Sequence, residues 1–260
     1  MKRILIRPKM AEFPKELHSL MSSCDVYDSS CSPEARVWFI DKDGGYYLKT
    51  SQKGSLSREA ELTRYFAKKG LGANVLEYIS SDKDWLLTSR VKGEDCTYKV
   101  YLDDPKRICD TIAERLRALH EIDPYDCPVD RTAEYFAGAE RNYKDGMFDA
   151  SYAYKGDIFK APKDAWRVIE QGRSLLKSDT LIHGDYCLPN IMLDDWKFSG
   201  FIDLGNGGRG DRHIDIFWGA WTLEFNLKTD EYRERFFDAY GRDRINVEAL
   251  RVVGAAETFG

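Results

Sequence analysis

The sequence predicts an α+β fold of two lobes, a small antiparallel-sheet lobe followed by a larger, mainly helical one. Three observations predict it. As far as about residue 90, short runs of β-branched and aromatic residues alternate with Gly- and Asp-containing turns. From Asp104 onward the apolar residues recur at helical spacing. The helical part is then interrupted by one segment, "TLIHGDYCLPNIMLDDWKFSGFIDLG", in which apolar runs flank polar loops.

Each element has a local reason. "ARVWFID", "KDGG" and "YYLKTS" read as two strands joined by a glycine turn. "SREAELTRYFAKKG" follows as a helix, with Leu62, Tyr65 and Phe66 on one face and Gly70 as its stop. "VLEYISSDKDWLLTSR" gives two more strands around a polar turn. "DPKRICDTIAERLRALHEID" is a helix capped by Asp104, with Pro105 in its first turn and an apolar stripe of Ile108, Ile112, Leu116 and Leu119. Residues 131 to 177 are mostly helical in pattern, with a break at "SYAYKGD", and the tail from about Asp230 is helical again. The domain boundary falls in the connection near residues 88 to 94, so residues 1–90 form the first lobe and 91–260 the second.

Composition narrows the function classes. Asp and Glu number 44 against 39 Lys and Arg, which argues against a broad nucleic-acid surface. The opening "MKRILIRPKM" has too few apolar residues before Arg7 for a signal-peptide core, and no run approaches a membrane span. The six cysteines are scattered without a Cys-x-x-Cys pair, as expected of reduced thiols in a cytoplasmic protein.

The chemistry sits in "HGDYCLPN". His183, Asp185 and Asn190 have the His-x-Asp-x-x-x-x-Asn spacing of a kinase catalytic loop, and Asp203 in "FIDLG" follows thirteen residues after Asn190. Phosphoryl transfer needs such a set. One Asp orients the attacking hydroxyl and accepts its proton, while an Asn and a second Asp offer the hard oxygen ligands that suit Mg²⁺. Upstream, Lys49 ends the strand "YYLK", from where it can reach ATP phosphates, and Glu59 in the next helix can hold it; Glu61 is the neighbouring competitor for that role. The chain has neither a Gly-x-Gly-x-x-Gly loop nor a Walker sequence, and "SSCSPEA" stands where a phosphate-covering loop would lie.

With these residues in place, "SPEARVWFI", "YYLKT", "LLTSRVKG", "LHEIDPYDCP", "HGDYCLPNIML", "SGFIDLGNGGRGDRHIDI" and "AETF" together resemble the aminoglycoside phosphotransferases, nearest the 3′-phosphotransferase type, along nearly the whole chain. The resemblance implies a protein-kinase-like fold, ATP (or GTP) and Mg²⁺ as cofactors, and phosphorylation of a hydroxyl on a cationic aminoglycoside, which inactivates the antibiotic. It implies Asp185 as the catalytic base, and Asn190 and Asp203 as metal ligands. It places the nucleotide with Lys49, Glu59, Tyr47 (stacking on adenine), Ser32, Ser89, Val91 and Ile202. Asp215 would brace the catalytic loop, and Asp185, Glu257, Glu224 and Asp157 would meet the acceptor.

The sequence departs from the family in three places. The family's Arg after the "DLG" glycine is Asn206 here, with Arg209 as the substitute for its charge. The insert before the catalytic loop mixes lysines and aromatics with its acids. Gly260 follows Phe259, where the family ends on an aromatic whose carboxylate joins an acid, matched by Glu257, over the sugar amines. Alternatives to an aminoglycoside kinase are a kinase of another small hydroxylated antibiotic or metabolite, a nucleotide-binding module without turnover, and a metal-dependent hydrolase built on His183, Asp211, His213 and Asp215. The last leaves Lys49 and Glu59 unexplained. His183 reads as a structural hydrogen-bonding residue, and nothing in the sequence marks Cys187 as reactive.

Overall fold

Successive side chains in the strands of the first ninety residues point to opposite faces of one sheet, and the central strands are covered on both faces. In the computed structural model, which describes residues 3–31, 33 and 35–260, a six-stranded antiparallel sheet runs in the order β1-β2-β3-β4-β6-β5. Its strands are β1 (Ile4–Ile6), β2 (Asp25–Asp28), β3 (Arg36–Asp41), β4 (Tyr46–Gln52), β5 (Val75–Ser80) and β6 (Lys83–Ser89). One face carries Trp38, Ile40, Leu48, Trp85 and Leu87, which pack with Phe13, Leu17 and Met21 from the short helical segment ending in α1 (His18–Met21). The Trp38 and Trp85 rings stack there at 6.0 Å, and Phe13 meets Trp38 edge-on at 5.0 Å. Fully burying a side chain such as Leu48 contributes about 1.5–3 kcal/mol.

The opposite face carries Lys49 and Leu86, which are register partners. Against Leu86 pack Leu56 and Ala60 of α2 (Ser57–Lys68) and its entry, and α2 ends before Gly70, whose φ of +70° suits glycine.

Two compact units divide the chain. The first comprises Met1–Asp95 together with Met192–Gly205, and the second Cys96–Ile191 with Asn206–Gly260. Residues 192–205 return to the first unit because β7 (Glu94–Asp95) pairs antiparallel with β9 (Ile191–Asp194), and β9 pairs with β10 (Lys197–Phe201). The β9–β10 turn takes left-handed backbone at Asp195 and Trp196. This fold-back was not anticipated by a single boundary near residue 90.

The second unit is mainly helical: α3 (Lys99–Leu102), α4 (Pro105–His120), α5 (Thr132–Lys144), α6 (Pro162–Gly172), α7 (Arg212–Leu227), α8 (Arg233–Tyr240) and α9 (Val247–Glu257). The expected cap on α4 is present, Asp104 accepting from the Arg107 amide. The strand before the catalytic loop, β8 (Thr180–Ile182), pairs with β11 (Gly208–Gly210) rather than with β9, so the apolar run before "HGD" belongs to a two-stranded ladder of its own. Helix α7 was not expected. Its buried residues include Ile214, Ile216, Phe217, Ala220 and Leu223, too many directions for a readable stripe. No described helix is long and apolar enough to cross a membrane.

Candidate active site

In the first unit, the pairing of β4 with β6 and the packing of α2 on Leu86 place Glu59 beside Lys49. Glu59 Oε2 accepts from Lys49 Nζ at 2.8 Å, and Asp203 Oδ1 accepts from the same ammonium at 2.8 Å. Burial presses the Lys49 ammonium down, but the two carboxylates outweigh it and leave its pKa raised, so the side chain is held charged. Asp203 itself has φ +59°, an uncommon conformation that Asp tolerates better than most residues. Tyr47 lies on the same strand face as Lys49, half-buried, with its ring 5.2 Å from Phe39 and its hydroxyl accepting from Arg3 at 3.0 Å. Val91 and Ile202 come together in one apolar cluster with Ala73 and Met192. The Ser89 amide donates to the Asn74 carbonyl at 2.9 Å, and its hydroxyl accepts from the Asn74 amide at 2.9 Å. Ser32 lies outside the described residues.

In the second unit, Asp215 on α7 receives the amides of His183 and Gly184, both at 2.7 Å, and a ring nitrogen of His120 at 3.2 Å. Because a carboxylate only accepts, His120 carries its proton on Nε2, and its Nδ1 accepts from the Tyr240 hydroxyl at 2.8 Å. Burial pushes the His120 pKa down against the pull of Asp215, so the imidazole is neutral. Gly184 has φ +81°, and a Cβ there would run into the Asn206 carbonyl, so only glycine fits between the two chain segments. The loop thus clamped turns Asp185 outward. Asn190 Nδ2 donates to Asp185 Oδ2 at 2.9 Å and to its carbonyl at 3.0 Å. The amide nitrogen of Asn190 is therefore spent on Asp185, leaving the oxygen as the atom suited to a hard cation.

Asp185 opens onto a cavity of about 440 Å³ that is also lined by Arg131, Glu134, Tyr135, Trp218 and Glu257. Glu257 is only 7% exposed and Oε1 takes both the Tyr135 hydroxyl at 2.8 Å and the Trp218 indole N–H at 3.2 Å. Burial, with Asp185 adding to it, pushes the Glu257 carboxyl up to about 7 against those two donors. Gly260 lines the same cavity, and Asn142 Nδ2 holds the Phe259 carbonyl at 2.8 Å.

The other acceptor candidates lie apart from this cavity. Glu224 pairs with Arg233 at 2.7 Å and lines a second cavity, about 760 Å³, with Trp221 and Phe225. Asp157 is bound by Arg251 at 2.9 Å. Arg209 does not supply the charge expected near Asn206, because it is paired with Asp130 at 2.9 Å. Arg131 does: its guanidinium donates to the Asn206 carbonyl at 3.2 Å and side-chain oxygen at 3.3 Å. No motif in the sequence marks Arg131 or Tyr135, which stand at the start of α5. The hydrolase cluster does not form. His213 Nδ1 binds Asp211 at 2.7 Å and its Nε2 accepts from the Asn246 amide at 2.9 Å, and no group of three metal-ligating side chains occurs among the described residues. Cys187 is buried, which pushes its thiol far above the ordinary range and leaves it inert.

Residues 31–251 match the model of the phosphotransferase enzyme family. A probable aminoglycoside 3′-phosphotransferase of Lactococcus lactis is 51% identical over 98% of both chains. An aminoglycoside 3′-phosphotransferase of Streptomyces fradiae is 31% identical over 78% of this chain and 79% of its own. Among solved structures, an aminoglycoside 3′-phosphotransferase of type VIII shares the fold at a TM-score of 0.74, with 24% identity and 96% of each chain covered. An aminoglycoside phosphotransferase of Streptomyces rimosus, in complex with ADP and streptomycin, aligns at a TM-score of 0.69 with 25% identity, covering 86% of this chain and 90% of that one.

Proposed function

The chain belongs to the phosphotransferase enzyme family, and from that premise we propose that it transfers the γ-phosphoryl group of ATP, or GTP, to a hydroxyl of an aminoglycoside, inactivating the antibiotic. The observation that carries the reading is the clamped loop. Asp215 holds two consecutive amides of it, and Asp185 emerges from it into a cavity beside a second acid, Glu257.

The roles follow from the chemistry of each group. Asp185 orients the acceptor hydroxyl and takes its proton as oxygen attacks phosphorus and the bond to the ADP oxygen breaks. Lys49, kept charged and in place by Glu59, binds the phosphates of the nucleotide, and Tyr47, Val91 and Ile202 offer the base an aromatic face and an apolar bed. Asn190 and Asp203 carry the oxygen ligands for Mg²⁺, which when bound neutralises charge on the transferring group. Residues 1–90 thus serve the nucleotide and 91–260 serve catalysis and the acceptor, except that Val91 and, from the returning segment, Ile202 and Asp203 also serve the nucleotide. Glu257 meets an acceptor ammonium. Six free cysteines and the lack of a membrane-spanning helix among the described residues support a cytoplasmic location.

A second reading has its own observation. The cavity at Asp185 holds Arg131 and Arg141 as well as Glu134, Asp185 and Glu257, a modest acidic excess for a polyamine. This favours an acceptor with few ammonium groups, such as another hydroxylated antibiotic or a metabolite. A panel of aminoglycosides and neutral polyols, followed by ADP release and by the mass gain of one phosphoryl group on the acceptor, decides between them. Turnover restricted to non-aminoglycosides would overturn the first reading, and ATP binding without any product would overturn both.

A further inference from the structure

Glu59 stands in the first turn of α2, yet that turn has no cap of its own: Leu56 at the N-cap position offers no side-chain bond. The missing acceptor comes from the sheet. Asp84 on β6 is fully buried and lies opposite Ser51, one step along the same face from the Lys49–Leu86 pair. Its Oδ2 receives the Leu56 amide at 3.0 Å and the Tyr78 hydroxyl at 2.9 Å, and its Oδ1 receives the Ser80 hydroxyl at 2.7 Å. The Gly54 amide and the Ser57 side chain join the cluster, the latter through Tyr78. Burial pushes the Asp84 carboxyl up, and these donors outweigh it and hold the group ionised. On its other side the Asp84 carbonyl accepts from Thr50 at 2.7 Å, next to Lys49. One residue therefore grips both the strand that carries Lys49 and the entry to the helix that carries Glu59.

We propose that Asp84 is a positioning residue for the reaction: it sets the first turn of α2 against β4 so that Glu59 meets Lys49. The inference rests on the reading in which that pair holds nucleotide phosphates. A carboxylate used only for stability would occupy the same place, so the test must separate position from folding.

The test is a double-mutant cycle read by titrating the full chain with Mg²⁺ and the ATP analogue AMP-PNP, with thermal midpoints measured alongside. Glu59→Gln alone weakens binding about tenfold, Asp84→Asn alone does the same, and the double variant is no more than about twofold worse than Glu59→Gln. Independent, multiplying losses would overturn the inference, as would an Asp84→Asn protein that binds normally while Glu59→Gln does not. If Glu59→Gln binds normally, the phosphate role of the pair falls and the inference falls with it. Should Asp84→Asn fail to fold, Tyr78→Phe and Ser80→Ala each remove one donor. Both then weaken binding about twofold to threefold in the parent and have no effect in the Glu59→Gln background. Equal effects in both backgrounds overturn the inference.

Discussion

Asp215 and Glu257 are both buried carboxylates on helices of the second unit, and they are wired in opposite ways. Asp215 uses both oxygens, on two backbone amides and one imidazole, so its charge is spent inside the protein. Glu257 receives two neutral donors on a single oxygen and faces a cavity it shares with Asp185. The difference separates scaffold from recognition: a carboxylate saturated by donors fixes a loop, whereas one left half-satisfied at a cavity wall has capacity for a ligand.

The comparison can be sharpened at the residue that the two acids flank. Asp185→Asn is expected to lower kcat by about 10²–10⁴ with an unchanged thermal midpoint, the outcome that follows from the proposed role of Asp185 as a positioned base. Single-turnover phosphoryl transfer within threefold of the parent would remove it from that role. Asp215→Ala should lose rate and stability together. It strands two buried amides and a histidine, at about 1–3 kcal/mol for each unsatisfied group, and frees the loop that carries Asp185. A chemical denaturation curve shows this directly, and a variant as stable as the parent would erase the contrast.

Glu257→Gln should behave otherwise, raising the acceptor KM about tenfold, the loss of about 1.4 kcal/mol from a charge-assisted contact, with the KM for ATP unchanged. Loss of ATP affinity instead would place Glu257 among the scaffold acids. The pH dependence follows from the same group. Its folded pKa, about 7, lies above its unfolded value of 4.5, so its contribution to stability is fully present below pH 4.5 and is lost as pH rises through 7. The loss is on the order of 3 kcal/mol at most. Thermal midpoints of the parent should therefore fall across that window relative to Glu257→Gln, and parallel profiles would contradict it.

Much of this was legible before the structure. Asp185, Asn190 and Asp203 sit at the spacing of a kinase catalytic loop, Lys49 and Glu59 are matched by the resemblance, and the strands and the helix around them follow from apolar periodicity. What sequence could not carry is contact between distant segments. Asp84 reads as an ordinary turn-side acid until Leu56, Tyr78 and Ser80 converge on it. Arg131 is one arginine among many until β11 brings Asn206 to it. Helix α7 hid because the stretch from His213 to Leu223 is buried on most of its sides, and the stripe that betrays a helix exists only where one side alone faces the core. Resemblance alone assigns Glu224 and Asp157 to the acceptor; in the structure each is engaged by an arginine outside the Asp185 cavity.

The Arg131–Asn206 contact has a consequence for how such a cavity can change over generations. The guanidinium and the amide fit because one donates and the other accepts. A replacement of Asn206 by arginine would set two like charges side by side before any benefit could be felt, and a loss of Arg131 first would leave Asn206 without the guanidinium that its carbonyl and side chain accept from. Either single step runs downhill, and only the pair of exchanges restores the charge count. Asn206→Arg should therefore impair acceptor turnover more than Asn206→Arg combined with Arg131→Asn, an ordering that kcat/KM for the three proteins can reverse or uphold. Two positions seventy-five residues apart in the chain would then be inherited as one trait.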